Sequence, residues 1–434
     1  MEKSSEISGF YRLSIEARRK VLREWANLTE AELAAYDFPP GIDPGVFDRM
    51  IENVVGSYAY PLGIATNFRI NQKDYLVPMA IEEPSVVAAA SNAAKVARGE
   101  GGFSAQTTAP IMIGQVQVLD VPDPAAGRLR ILAARDALLE KANAQDPMLV
   151  KFGGGARDLE VRVIPSPRGT MLVVHLLVDA RDAAGMNAVN TMCEALAPDL
   201  GRLAGGRSLL RIISNLAIYR LARATATFRA DLLATDSMKG PEVVEAILDA
   251  YTLAAVDPFR CATHNKGIMN GLSAVVVATG NDFRAIESGA HTYAAFQARD
   301  GAVVKPLTTY EKDRAGNLVG SIEVPLAVGL IGGATAVHPT AKANVKLLGV
   351  KGAAELAQVL ASVGLAQNFA ALRALATEGI QRGHMELHAR NIAATAGARA
   401  DEVDLVVARL VSEHRIRIDR AKEIIEELRS SGSR

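Results

Sequence analysis

Cysteine and net charge are both scarce in this sequence, and each scarcity closes off a class of function. Two cysteines, Cys193 and Cys261, among 434 residues cannot make a disulfide framework, which points to a reducing, cytoplasmic setting. Lys plus Arg and Asp plus Glu each number 48, so formal charge balances and no sustained basic stripe exists to neutralise a phosphate backbone. Nucleic acid is therefore not an expected partner. Residues 101–119, 267–281 and 324–337 are uncharged but interrupted by Gln, Thr, Asn, Pro or Gly, whereas a span needs about 20 predominantly apolar residues. No bilayer crossing is expected, and Met1 to Gly9 contain no apolar signal-peptide core. No G-x-G-x-x-G follows a strand and opens a helix, so a dinucleotide would have to be held without a Rossmann fingerprint.

What is present is apolar residues at 49%, with an Ala-rich, Gly-rich texture over a length suited to two or three domains. This fits a compact α/β or α+β enzyme. Ile15, Leu22, Trp25 and Leu28 fall near one helical face and leave Arg18, Arg19 and Arg23 for solvent. Thr29 and Glu32 fit a capping box, and Phe38-Pro39-Pro40-Gly41 breaks the chain, so residues 14–41 read as a helical arm. Strands are expected at 75–81, 111–118, 170–178, 208–216 and 273–279, with a β-rich run over 318–330. Helices are expected at 85–98, 129–144, 187–196, 241–255 and 351–376, and as a pair across 399–428. Gly383 and Gly397 are candidate hinges between the last two helical regions.

Four stretches place ionisable groups in Gly-punctuated apolar surroundings, where functional residues break local pattern. In Glu82-Glu83-Pro84-Ser85, Pro84 suits a first helical turn, so Glu83 reads either as a carboxylate favoured by a helix dipole or as a positioned acid. Between Asp257 and Gly267, Lys266 reads as part of a solvated loop or as an oxyanion-stabilising ammonium. Asp282 follows as a turn cap or a functional strand-end acid, and Cys261 as a structural thiol or an acyl-accepting nucleophile. Asp179 to Asn187 forms a strand, a Gly-containing turn and a helix start whose N–H groups could receive a pyrophosphate. His384 and His388 would share a helical face without a third metal ligand or the H-E-x-x-H order, so no metal is expected. They read as a surface pair or as a titrating acid on a hinged segment.

Taken together, Glu52-Asn53-Val54-Val55-Gly56, Glu82-Glu83-Pro84-Ser85, Asp182 to Asn187, Thr263-His264-Asn265-Lys266-Gly267, Gly280-Asn281-Asp282 and Gly383-His384-Met385 resemble 3-hydroxy-3-methylglutaryl-coenzyme A reductase. The likeness is to the bacterial class II form, which has no membrane anchor, and it extends over nearly the whole chain. Ala184 stands where the family more often has Met. The resemblance implies an α+β protein. A large mixed α/β domain, 1–108 and 219–377, would bind substrate and coenzyme A; an inserted ferredoxin-like, non-Rossmann domain, 109–218, would bind nicotinamide; and 378–434 would form a mobile helical flap.

The reaction implied is the NAD-linked interconversion of mevalonate plus coenzyme A with HMG-CoA, by two hydride transfers through mevaldehyde. Lys266 would stabilise the substrate oxyanion, Glu83 would exchange its proton, Asp282 would bridge Glu83 and Lys266, and His384 would protonate the departing thiolate. Ser85, Arg260, Gln367 and Asn368 match substrate-binding positions. Asp182, Gly185, Met186, Asn187 and Asn215 match the nicotinamide site, and Asp146 matches an acid that would accept a ribose hydroxyl and repel a 2′-phosphate. The family is dimeric, with sites made across the interface. Two other functions remain to be weighed: acyl transfer through Cys261, and a non-catalytic coenzyme A-binding protein.

Overall fold

Several helices in this chain open on side-chain caps, and the first is Ser14, whose Oγ accepts from the Ala17 N–H to open α1 (Ile15–Ala26). The computed structural model describes residues 4–298, 301–377 and 379–431, with side chains for all of these except 334, 380–387 and 431. Thr29 and Glu32 form the expected capping box of α2 (Glu30–Ala34), followed by α3 (Pro44–Asp48). Arg18 departs from expectation: it is 5% exposed and donates to Asp48 at 2.7 Å and to the Val54 carbonyl at 3.0 Å. Residues 48–54, beyond the arm, fold back against α1, so this guanidinium becomes a clasp instead of a solvated charge.

A hairpin of β1 (Leu62–Ile70) and β2 (Lys73–Ala80) leads into the Ala-rich α4 (Val86–Ala97), which packs on β1, and then into β3 (Ser104–Thr107). Next come β4 (Ile111–Leu119), α5 (Pro124–Ala133), α6 (Arg135–Asn143), α7 (Pro147–Lys151), β5 (Gly155–Ile164), β6 (Met171–Asp179), α8 (Met186–Ala204) and β7 (Arg207–Ser214). These strands make an antiparallel sheet in the order β5-β6-β4-β7, a ferredoxin-like βαββαβ unit. Its core of Met112, Val116, Leu172, Leu176, Met192 and Leu196 is a cluster of its own. The sequence reading missed β5, whose Asp158, Glu160 and Arg162 alternate with the core residues Leu159 and Val161. The helix expected at 129–144 is two helices, broken at Ala134 with φ −91° and ψ 8°.

The chain returns to the first core through β8 (Leu221–Phe228), α9 (Gly240–Val256), α10 (Pro258–Ala278), α11 (Phe283–Phe296), β9 (Thr308–Lys312), β10 (Leu318–Pro325), α12 (Gly333–Val337), α13 (Pro339–Leu348) and α14 (Ala353–Ala376). Its sheet runs β3-β8-β10-β9. The strand expected at 273–279 is the end of α10; a short apolar, β-branched run is ambiguous by periodicity, and burial among α14, β2 and α9 decided it. α14 is long and apolar enough to cross a bilayer, a feature the uncharged-window reading passed over. Here it is the central core helix, and 67% of its most apolar window is buried.

The last three helices, α15 (Ile380–Thr395), α16 (Val403–Ser412) and α17 (Ile418–Ser431), enclose a third small core around Ala389, Val406, Leu410 and Ile424. Gly383 lies inside α15, so it does not form the expected hinge; positive φ falls on Gly379 at +77° and Gly397 at +91°.

Candidate active site

Asp257 accepts from the Arg260 N–H at 2.6 Å and Pro258 takes the first helical position, so α10 begins seven residues before Asn265. The 257–267 stretch is thus helix, not loop, and helical spacing governs which side chains meet. Lys266 and Asn270 share one face. Glu83 approaches that face from the connection between β2 and α4: Lys266 Nζ donates to its Oε2 at 3.0 Å and Asn270 Nδ2 donates to the same oxygen at 3.1 Å. Two donors from one helix therefore converge on one carboxylate oxygen. Sequence reading missed Asn270, although its i,i+4 relation to Lys266 is legible once the stretch is known to be helical.

Ser85 occupies the N-cap position of α4 with φ +69°, a left-handed conformation that is strained for a residue with a side chain. Pro84 accordingly lies before the cap, and Glu83 sits in the turn outside the helix instead of at its cap. Strain of this kind next to an ion pair is common where a loop is held for function.

Asp282 does not bridge this pair. Its Oδ1 accepts from the N–H groups of Arg284 and Ala285 at 3.0 and 3.2 Å, capping α11, and pairs with the Arg284 guanidinium at 3.1 Å. Its Oδ2 makes no hydrogen bond among the described residues. Arg260 is half-buried in the first turn of α10, and its side chain has no hydrogen-bonding partner among the described residues. Gln367 and Asn368 lie inside the core. Asn368 Oδ1 accepts from the hydroxyls of Thr308 and Tyr310, both at 2.9 Å, so its amide is engaged in structure; Gln367 Oε1 is buried without a hydrogen-bond partner. His388 is exposed, and the side chain of His384 lies outside the described residues.

The same network fixes α10 from behind. His264 Nε2 lies 2.6 Å from Thr308 Oγ1, and Asn265 donates to the Lys305 carbonyl while accepting from the Leu307 N–H, each at 3.0 Å. Burial, reinforced by the Arg260 charge, pushes His264 down to about 3, so the imidazole is neutral at working pH. Burial likewise pushes the Cys261 thiol up, which disfavours its thiolate. The unfolded chain takes up a proton at His264 below pH ~6.5 that the folded chain refuses, so stability is lost as pH falls from there toward 3. Between pH 7.5 and 5 this amounts to about 2 kcal/mol. Urea midpoints of the parent and His264→Gln at both pH values should show a smaller drop in the variant; equal drops would assign the acid sensitivity elsewhere.

Of the residues matched in sequence to a nicotinamide site, Gly185, Met186 and Asn187 form the start of α8. Gly185 is buried with φ +90°, and a Cβ there would sit 2.6 Å from that of Ala180, so glycine is required by conformation and by space. α8 has 19 residues, no side-chain cap at its N-terminus and no acidic residue in its first turn. Met186 and Asn187 thus begin a helix whose leading N–H groups and dipole suit an anionic dinucleotide. Asp182 turns away to the large core, where its Oδ1 accepts from the Ala353 N–H at 2.7 Å. Asn215 is exposed after β7. Asp146 caps α7 through Oδ1, accepting from the Leu149 N–H at 2.9 Å, and its Oδ2 makes no hydrogen bond among the described residues.

Comparison with known proteins adds independent information. A sequence model of the hydroxymethylglutaryl-coenzyme A reductase family matches residues 14–389. The 3-hydroxy-3-methylglutaryl-coenzyme A reductase of Archaeoglobus fulgidus is 61% identical over 427 residues, covering 98% of this chain and 95% of that protein. A probable 3-hydroxy-3-methylglutaryl-coenzyme A reductase of Borreliella burgdorferi is 33% identical over 403 residues, covering 89% and 88%. The class II reductase of Streptococcus pneumoniae, solved bound to NADPH in open conformations, aligns with TM-score 0.74 and 41% identity over 96% of this chain and 100% of that one. A further structure of the Streptococcus pneumoniae reductase gives TM-score 0.76 and 40% identity over 97% and 99%.

Proposed function

The chain belongs to the hydroxymethylglutaryl-coenzyme A reductase family, and we propose that it is an NAD-linked member interconverting mevalonate plus coenzyme A with HMG-CoA through mevaldehyde. The observation that carries this reading is the convergence of Lys266 and Asn270 on Glu83. When bound, the nicotinamide supplies or accepts hydride at the substrate carbon. Lys266 then stabilises the negative charge that develops on the neighbouring oxygen. Glu83 exchanges the proton of that oxygen, and Asn270 holds the Glu83 carboxylate in place for the transfer. Asp282 takes part through Oδ2, the oxygen its cap leaves over. His384 protonates the departing coenzyme A thiolate, whose basicity makes it a poor leaving group unassisted. Arg260 offers a guanidinium fork to the substrate carboxylate, with Ser85 beside Glu83; Gln367 and Asn368 act by supporting α10 from within.

The three separate cores support reading 1–108 with 219–377 as the substrate domain, 109–218 as the nicotinamide domain and 378–434 as a closing flap. In one chain Lys266 keeps 61% of its side chain exposed and Glu83 35%, whereas charge stabilisation needs a dry site. This supports a homodimer in which a second subunit and the flap cover the pair. Asp146 supports NAD over NADP, since a carboxylate repels a 2′-phosphate and accepts a ribose hydroxyl.

The testing experiment is the appearance of reduced nicotinamide absorbance when the purified protein meets mevalonate and coenzyme A, with NAD and NADP in parallel. A coenzyme A-dependent signal, stronger with NAD, is expected. A stronger signal with NADP would overturn the Asp146 argument alone, and silence with both would overturn the reaction. Cys261→Ser should keep turnover within about twofold, because a buried thiol held protonated is no nucleophile. Its loss of activity would favour acyl transfer, and a coenzyme A-binding protein without turnover would leave the Lys266 and Glu83 variants indistinguishable from the parent.

A further inference from the structure

One buried cation lies outside the chemistry described so far. Arg220, between β7 and β8, is 5% exposed and has no carboxylate within ion-pairing distance among the described residues. Instead its guanidinium donates to four backbone carbonyls. Nη1 reaches Ala183 at 3.0 Å and Ala184 at 3.4 Å; Nη2 reaches Arg181 at 3.4 Å and Val328 at 2.5 Å. Three of these carbonyls belong to the turn that delivers Gly185 and the start of α8. The fourth belongs to the segment after β10, which is tied to Arg220 again through the Leu326 N–H and the Arg220 carbonyl at 3.0 Å.

That segment also touches both halves of the candidate site. The Leu330 N–H donates to the Asp182 carbonyl at 2.9 Å, and the Gly329 N–H donates to Asn281 Oδ1 at 2.8 Å, one residue before Asp282. A Cβ at Gly329 would collide with the backbone of Ala183 and Ala184, so the two segments lie in direct contact. A continuous path of hydrogen bonds and packing therefore runs from the Asn281-Asp282 loop, through residues 328–330, to the 181–184 turn, with Arg220 closing it from the interior. Burial lowers the Arg220 guanidinium to about 10, which still leaves it charged at neutral pH, and Asp179 and Asp182 favour that charge at longer range. A cation deprived of water, whose side-chain hydrogen bonds among the described residues all go to backbone carbonyls, keeps its place only while the turn keeps its shape.

We propose that Arg220 is a positioning residue for dinucleotide binding, fixing the 181–184 turn and the start of α8 against the Asn281-Asp282 loop. This rests on the reading of residues 182–187 as the nicotinamide site. A lysine could carry the charge but not the fork, so the four-carbonyl geometry requires arginine. The inference is specific to one substrate: loosening this turn should affect the nucleotide and leave the thioester, which meets Glu83 and Lys266 elsewhere, bound as before.

The experiment measures steady-state KM for nicotinamide and for HMG-CoA, with melting temperatures, in the parent, Arg220→Lys, Arg220→Gln and Gly329→Ala. Parent turnover is established first, and its absence would remove the underlying functional reading, not this inference alone. With a working parent, Arg220→Gln should raise the nicotinamide KM about tenfold or more while the HMG-CoA KM stays within about twofold, the size expected of an ångström-scale misplacement. Arg220→Lys should recover part of the loss. Gly329→Ala, which presses on the same turn and leaves Arg220 in place, should show the same asymmetry and decides the matter if Arg220→Gln fails to fold. A nicotinamide KM unchanged in Gly329→Ala and Arg220→Lys, or both KM values rising together, would overturn the positioning role and leave Arg220 a purely structural cation.

Discussion

Lys266→Ala is expected to reduce turnover by about 10³-fold while leaving the melting temperature within a degree or two of the parent, as removal of a group stabilising a developing oxyanion does elsewhere. The two halves of this result have separate causes. The ammonium is 61% exposed in the single chain and its 3.0 Å bond to Glu83 lies at the surface, so the pair contributes at most about 1 kcal/mol to folding. In the proposed covered site the same charge would act where negative charge develops on the substrate oxygen, with no compensating water. Turnover by stopped-flow or steady-state absorbance, alongside a thermal melt, checks both. Activity within tenfold of the parent would remove Lys266 from the oxyanion role; a melting temperature lowered by many degrees would mean that Lys266 holds the fold.

Glu83→Gln is the second large effect, a loss of about 10²- to 10⁴-fold in turnover, the range associated with a positioned general acid or base. Glutamine keeps the shape, and its carbonyl oxygen can still accept from Lys266 and Asn270, so the turn around Ser85 should hold. What is lost is the proton. Because both the thioester step and the reduction of free mevaldehyde require a proton at the same oxygen, both half-reactions should fall together. The corresponding His384→Gln change should slow only the step that releases coenzyme A and spare mevaldehyde reduction. If Glu83→Gln reduced mevaldehyde at the parent rate, Glu83 would not be the proton donor. The two Glu83-linked donors also predict an order among variants: Asn270→Ala should be milder than either, since it removes orientation without removing charge or proton.

The local parts of the fold were legible. The amphipathic helix beginning near residue 14, the Thr29 and Glu32 capping box, the strand within 75–81 and the apolar helix of α14 all rest on signals contained within a few residues. The failures share a cause. Residues 273–279 read as a strand because Val275, Val276 and Val277 are β-branched, and the 257–267 stretch read as a loop because Thr, His, Asn and Lys cluster there. Both belong to a single 21-residue helix stabilised by contacts with α9, which precedes it directly, and with α14 and β2, both distant in sequence. Tertiary burial overrode propensity. Arg18 reads in sequence as solvated and Arg220 is not singled out for the same reason: an arginine is ordinarily solvated, and only the closing of other segments over it makes it a clasp.

The sequence by itself determined which chemistry is available: a carboxylate before a proline, a lysine within a polar run, a glycine-bearing turn ahead of a helix, and no Rossmann loop. Those are properties of residue type and short spacing, and they also carried the family resemblance. Only the tertiary structure decided which groups meet. It gave Glu83 two donors from α10, one of them unforeseen, gave Asp282 to the cap of α11, and turned Asp182 toward α14. It also placed Asn368 in a buried network and Arg220 beneath the 181–184 turn. Hydrogen bonds and burial depend on approach through space across separations such as the 187 residues between Glu83 and Asn270, and no local pattern encodes such a distance.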